Sequence, residues 1–236
     1  MMCNQQLANS LTSSIMLNKR CELGNIPDRK TELGEIAEFS QGNFAEIHSA
    51  REEALNISRS VVRNSANGIR ATHRKEFGQA HQLLSEVQKL VKDIGRFKDS
   101  YPNVYYGGYV EDALKEYVEL ATTLAFIEGN ALPMPHELQV GPGPYLAGLA
   151  DTVGELRRHI LDSLRHNDFT RCEELLDAMD EIYSVLASMD FPEAVTRGLR
   201  RSTDMVRGTM ERTRGDLTLS LRQRHLESKL LELQDA

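Results

Sequence analysis

From Phe44 to Phe97 the chain contains no proline, and its apolar and small residues recur at helical spacing, at Ile47, Ala50, Ala54, Ile57, Val61, Val62, Ala66 and Ile69. A run with that period buries a stripe along a helix and cannot lie as a half-buried strand. Continuous, it would extend about 80 Å at about 1.5 Å per residue. Gly68, Gly78 and Gly95 mark where bends or a break are expected. The prolines at 27, 102, 133, 135, 142, 144 and 192 punctuate the rest. A second helix is expected over about Tyr109 to Glu128, after YPNVYYGG, and a third over about Tyr145 to His166, after GPGP. A fourth begins near Thr170, where Thr170 and Glu173 form a capping-box pattern, and buries Leu175, Leu176, Met179, Ile182, Tyr183 and Leu186. Asp190 and Pro192 then open a C-terminal helical region with Val195, Leu199, Met205, Val206 and Met210. No alternating run is long enough for a sheet, so the fold class is all-α. Residues 1 to 40 are polar, poor in periodic apolar positions and interrupted by Gly24, Pro27 and Gly34. They read as a mobile tail, with 41–236 as a single domain.

The chain has 236 residues, 27% of them charged, and a formal net charge of −7, the composition of a globular protein with a buried core. Its longest uncharged, mainly apolar stretches, Leu120 to Ile127 and Leu138 to Ala150, fall short of the roughly 18 residues a membrane span needs. The uncharged first 18 residues are broken by Asn and Gln, with Lys19 and Arg20 on the wrong side for a signal peptide. Cys3, Cys21 and Cys172 are too scattered for a disulfide framework or a CxxC knuckle. A cytoplasmic location is expected.

Charge is unevenly spread. Residues 46 to 98 hold ten Lys+Arg against six Asp+Glu, whereas residues 99 to 200 hold seven against eighteen. A basic helix beside an acidic middle pairs a polyanion site with a cation site, or else simply reflects solvated helix faces.

In LKEYVELATTLAF the apolar stripe is Leu114, Tyr117, Val118, Ala121, Leu124 and Ala125, and Glu116 and Glu119 stand on its flank, about 60° apart at 3.6 residues per turn. In YLAGLADTVGELRRHI the stripe is Leu146, Leu149, Val153, Leu156 and Ile160, with Asp151 and Glu155 four apart on the other face. If the two helices pack with these faces converging, four carboxylates surround one small volume, which suits Mg²⁺ or Mn²⁺ and not zinc. Such an ion activates water and stabilises charge on a phosphodiester. Pairs at these spacings are also common on plain solvated faces. Gly148 and Gly154 let another backbone approach the third helix. Glu-x-x-His pairs, HExxH, Walker A, GxSxG and GxGxxG motifs are all absent.

In NISRSVVRNSANGIRATHRKEF, residues Arg59, Arg63, Arg70 and Arg74 recur at spacings of four, seven and four and form a ridge of guanidinium groups, joined by His73 and Lys75. The ridge matches backbone phosphates, or a row of salt bridges, about equally well. His73 is suited to phosphate contact, to proton transfer or to a structural role. Tyr101, Tyr105, Tyr106 and Tyr109 either stack on bases or pack their loop.

The segments REEALNISRSVVRNSANGIRATHR, GGYVEDALKEYVELA and above all GPYLAGLADTVGELRR resemble the translin family, specifically its TRAX (translin-associated factor X) branch and archaeal TRAX-like proteins. The match runs from about residue 44 to the C-terminus. The resemblance implies about seven helices with a long N-terminal one, in subunits that assemble into a hollow homo-oligomer, commonly an octamer, holding RNA or single-stranded DNA. TRAX proteins carry an ExxE and a DxxxE pair and act as Mg²⁺-dependent endoribonucleases; translin lacks those acids. Here the pairs are Glu116 with Glu119 and Asp151 with Glu155. By that resemblance Glu119 and Glu155 are the leading metal ligands, with Glu116 and Asp151 orienting metal-bound water or serving as a base, and Mn²⁺ can stand in for Mg²⁺. The runner-up is a translin-like shell that binds without cutting, and a third reading is an oligomeric scaffold with no nucleic-acid role. No basic nuclear-targeting tail is present.

Overall fold

A computed structural model describes residues 29–234. Six long helices carry the fold: α1 (Arg29–His73), α2 (Phe77–Gly95), α3 (Gly108–Glu128), α4 (Pro142–Arg165), α5 (Cys172–Ala187) and α6 (Leu199–Gln234). Single helical turns at Phe97–Ser100, Pro102–Tyr105 and Glu193–Thr196 join them, and no strand occurs among the described residues. The all-α expectation holds.

The described residues divide between two units, one up to residue 46 and the other from residue 47 on. In the first, the described residues form the N-terminal part of α1, and Leu33, Ile36, Phe39 and Phe44 lie exposed along it. Residues 29–40, expected to be mobile, are therefore helical. Glu, Ala and Leu favour the helix there, and extending an existing helix carries no nucleation cost.

In the second unit α3 and α4 form the central pair, against which α5 and α6 pack. Tyr117, Leu120, Leu124, Leu156, Ile160, Leu175, Met179 and Leu217 are among its fully buried side chains. Burying a side chain of this size contributes about 1.5–3 kcal/mol. The buried line of α1, Ala50, Ala54, Ser58, Val61, Ser65, Gly68 and Thr72, is made of small side chains, which lets a long helix lie close to its neighbours.

Gly68 does not bend α1. The helix continues through it to His73, and a Cβ at Gly68 would stand 2.7 Å from a Leu120 methyl of α3. The glycine serves close approach. The break expected near it falls instead at Arg74–Glu76, where Lys75 adopts φ 61°. The Glu76 N–H donates to the Ala71 carbonyl and the Lys75 N–H to Thr72, a Schellman closure with lysine where glycine is usual. Helix α4 starts three residues earlier than expected, because Pro142 and Pro144 fall in its first turn, where no intrahelical N–H is required. The Thr170–Glu173 capping box does not form. Asp168 Oδ1 accepts the Thr170 N–H instead, and α5 starts at Cys172. Arg197 and Gly198, both at positive φ, divide the expected C-terminal helical region, separating the turn at Glu193–Thr196 from α6, with Val195 exposed on that turn.

Candidate active site

Helices α3 and α4 cross at a glycine. A Cβ on Gly148 would stand 2.5 Å from the Lys115 carbonyl oxygen and 2.7 Å from Val118 Cβ, so the α4 backbone rests directly on the α3 turn that carries the first acid pair. One turn further along α4, Thr152 meets Thr122 of α3 in a buried hydroxyl–hydroxyl hydrogen bond of 2.7 Å. Gly154 behaves differently from expectation. Nothing lies within 4 Å of a Cβ built on it, and it borders a cavity of about 260 Å³ lined also by Glu119, Asp151, Met205, Val206 and Thr209.

The crossing brings all four predicted acids into one electrostatic neighbourhood. Burial, and then the charges of Glu116, Asp151 and Glu155, push the Glu119 carboxyl up to about 8. Glu119 side-chain oxygens have no hydrogen-bond or ion-pair partner among the described residues. Glu116 is raised for the same reasons, burial first, although Lys115 works against the shift. Negative charge here is crowded and only partly compensated.

Three residues outside the quartet, Lys115, His73 and Arg158, supply the compensation present. Lys115 Nζ lies 2.7 Å from Asp151 Oδ2 and 3.8 Å from Glu116 Oε1. His73, the last residue of α1, donates through Nε2 to Glu155 Oε2 at 2.5 Å, with its side chain only 5% exposed. That bond holds the Glu155 carboxyl below the ordinary range, with burial opposing it and Arg158, at 3.6 Å, assisting. Next to His73 lies the His159 ring, 6.4 Å away between centroids, its imidazole shifted below its ordinary value by burial and then by the charges of His73, Lys75 and Arg171. His73 therefore belongs to the acid site and not to the outer ridge where its sequence neighbours put it.

In chemistry the donor set suits a hard divalent cation: the candidate donors are all carboxylate oxygens, half-buried, with an uncompensated member in Glu119. The shell is not closed. Among the described residues no three His, Cys, Asp or Glu side chains stand in a ligating arrangement, since Asp151 turns to Lys115 and Glu155 to His73.

Of the predicted basic ridge, Arg59, Arg63 and Arg70 lie exposed on one side of α1. Arg70 donates to Asn67 Oδ1 at 2.8 Å. Arg74 and Lys75 fall after the helix end, off the ridge, and Arg74 pairs with Glu76 at 2.7 Å. The tyrosines mostly pack their loop: Tyr109 donates its hydroxyl to the Val104 carbonyl, and Tyr105 meets Tyr106 edge to face. Lys115 is the member of this charged cluster that pattern reading missed. Its signal was its place four residues before Glu119, on the same helix face.

The family model that matches this chain is the translin family, over residues 45–213. The chain belongs to the translin family. An uncharacterized protein of Methanocaldococcus jannaschii, MJ0175, is 29% identical over 193 residues, covering 81% of this chain and 85% of its own. Among solved translin-like folds, AfC3PO in complex with duplex RNA matches with a TM-score of 0.74 and 31% identity, over 80% of this chain and 97% of that one. A further crystal structure of AfC3PO matches with the same TM-score of 0.74, at 32% identity over 80% of this chain and 98% of that one. For apo-NeC3PO the TM-score is 0.69 at 22% identity over 84% and 100%, which bears on the fold alone. No described helix of this translin-family chain is long and apolar enough to cross a membrane.

Proposed function

We propose that this chain is a TRAX-like member of its family: a Mg²⁺-dependent endoribonuclease, with Mn²⁺ as a substitute, acting on RNA inside a closed homo-oligomer such as an octamer. The observation that carries the proposal is the convergence of Glu116, Glu119, Asp151 and Glu155 at the α3–α4 crossing, with Glu119 left without a partner and pushed up to about 8 by burial and its three neighbours. The match to AfC3PO, which has been solved with duplex RNA, supports RNA as the ligand class; single-stranded DNA as a second ligand follows from the family resemblance and not from that match. Exposed Leu226, Leu230, Leu231 and Leu233 on α6 offer apolar surface for self-association.

In this reading all four carboxylates would face the cation, Glu119 and Glu155 as its leading ligands and Glu116 and Asp151 beside it, where they would orient the attacking water or take its proton. The bound ion supplies Lewis acidity and a water of lowered pKa. His73 fixes the direction of the Glu155 carboxylate through its 2.5 Å bond, and Arg59, Arg63 and Arg70 hold the phosphate backbone. Water attack with loss of the 3′-oxygen leaves a 5′-phosphate and a 3′-hydroxyl.

The unclosed ligand arrangement favours one second reading, a shell that binds nucleic acid without cutting it. Incubating wild type and Glu119→Ala with labelled single-stranded and duplex RNA, in Mg²⁺ and in EDTA, separates the two. Cleavage by wild type alone, and only with metal, is the expected result, with binding kept in the variant. A mobility shift without cleavage establishes the shell, and cleavage with all four acids replaced sinks the nuclease assignment.

A further inference from the structure

Asp151 is already neutralised by a cation that belongs to the chain. Lys115 extends from α3 across the Gly148 crossing, and its ammonium reaches Asp151 at 2.7 Å while remaining 3.8 Å from Glu116. Both side chains of the Asp151 pair are about three-tenths exposed, so the pair is partly desolvated and firmer than a surface ion pair. Its position is fixed from below, because the Lys115 backbone carbonyl is the atom against which Gly148 packs. Burial disfavours the ammonium, yet the Asp151 hydrogen bond and the charges of Asp151, Glu116 and Glu119 outweigh it and keep Lys115 charged. On the opposite side of the cluster Glu155 is taken by His73 and approached by Arg158. Two of the four acids are thus turned away from any common centre, which accounts for the absence of a three-ligand arrangement among the described residues.

We propose that Lys115 is a resident counter-ion of the carboxylate cluster that a divalent cation must displace from Asp151, so that the Lys115–Asp151 pair sets the cation concentration at which the site loads. The inference rests on the metal-site reading above. A dication and an ammonium cannot share Asp151 at contact distance without repulsion, and the dication, with twice the charge and several carboxylates to draw on, wins once its concentration suffices. The ammonium then swings toward solvent, through which three-tenths of its side chain is already reachable. A glutamine at 115 removes both the competitor and a positive charge next to the ion. An arginine keeps them.

Isothermal titration of the full-length wild-type, Lys115→Gln and Lys115→Arg proteins with Mn²⁺, without nucleic acid, tests this. Lys115→Gln should bind Mn²⁺ about tenfold more tightly than wild type, and Lys115→Arg within about twofold of it. Unchanged or weaker binding by Lys115→Gln, with Mn²⁺ still bound by wild type, overturns the counter-ion role and leaves the metal site standing. No Mn²⁺ heat from any of the three proteins overturns both. Should Lys115→Gln not fold, lysine acetylation of wild type read by mass spectrometry serves instead. Labelling of Lys115 should rise several-fold on adding Mn²⁺, while that of Lys229, which pairs with Glu232 far along α6, stays constant; equal labelling of Lys115 in both conditions refutes the displacement.

Discussion

The α3–α4 crossing and the outer side of α1 are charged in opposite ways, by sign and by construction. At the crossing, carboxylates from two helices crowd one half-buried neighbourhood, and burial together with the charges of Glu116, Asp151 and Glu155 drives Glu119 up to about 8. Along α1, Arg59, Arg63 and Arg70 stand exposed at one-turn and two-turn intervals, and their charges act almost independently in water. The first arrangement concentrates negative charge, which the dication of the proposed function would relieve. The second spreads attraction over a long, screened surface. A nucleic-acid enzyme needs both: a place to concentrate charge for chemistry and a place to hold a polymer without arresting it.

If the contrast is correct, single changes at the crossing are severe and single changes on α1 mild. The largest effect is expected from Glu119→Gln, which keeps the shape and removes the charge. Metal-dependent RNA cleavage should fall by about 10²- to 10⁴-fold, with RNA affinity within about twofold of wild type in a mobility-shift assay. A parallel loss of affinity would show that the acids position RNA rather than act on it.

Next comes Gly148→Ala. The added methyl meets the Lys115 carbonyl and Val118 of α3, and forcing the helices apart should cost about 1–3 kcal/mol, measured as a lowered thermal midpoint, with cleavage lost as the acid pairs separate. Gly154→Ala, six residues along the same helix, projects into open space and should stay within about 0.5 kcal/mol of wild type. These two glycines also mark what sequence reading can resolve. Their spacing to the acids was legible, but which one faced α3 was not, because that depends on a helix crossing 30 residues away in the chain. The carboxylate quartet was legible for the opposite reason: spacings of three and four place both members of a pair on one helix face whatever the tertiary fold does. His73 and Glu155, 82 residues apart, carried no local signal of their bond. Arg74 looked like a ridge member until α1 ended one residue before it.

A smaller and graded effect is expected from pH. Between its ordinary value of 4.5 and about 8, Glu119 holds a proton in the folded chain that it lacks in the unfolded one. The folded state then binds more protons, so metal-free stability should fall as pH rises through that window, by at most about 1.4 kcal/mol per pH unit. Glu155, held low by His73, contributes with opposite sign, stabilising above 4.5 and losing that contribution as acid protonates it. Urea denaturation from pH 5 to 8 should therefore show a decline that Glu119→Gln flattens. A decline that survives in the variant would place the strained group elsewhere.

The mildest changes are expected on α1, and they sharpen the comparison most directly. Arg59→Gln, Arg63→Gln and Arg70→Gln should each weaken RNA binding by no more than about 1 kcal/mol, and the losses should add, since exposed charges with no shared partner do not couple. Each should also lower the slope of log affinity against log salt by about one, while cleavage at saturating RNA stays unchanged. Coupled losses, or a salt slope indifferent to all three, would mean that α1 is not the polymer-holding surface, and that the row of arginines is a solvated face whose periodicity reflects the helix and not a ligand.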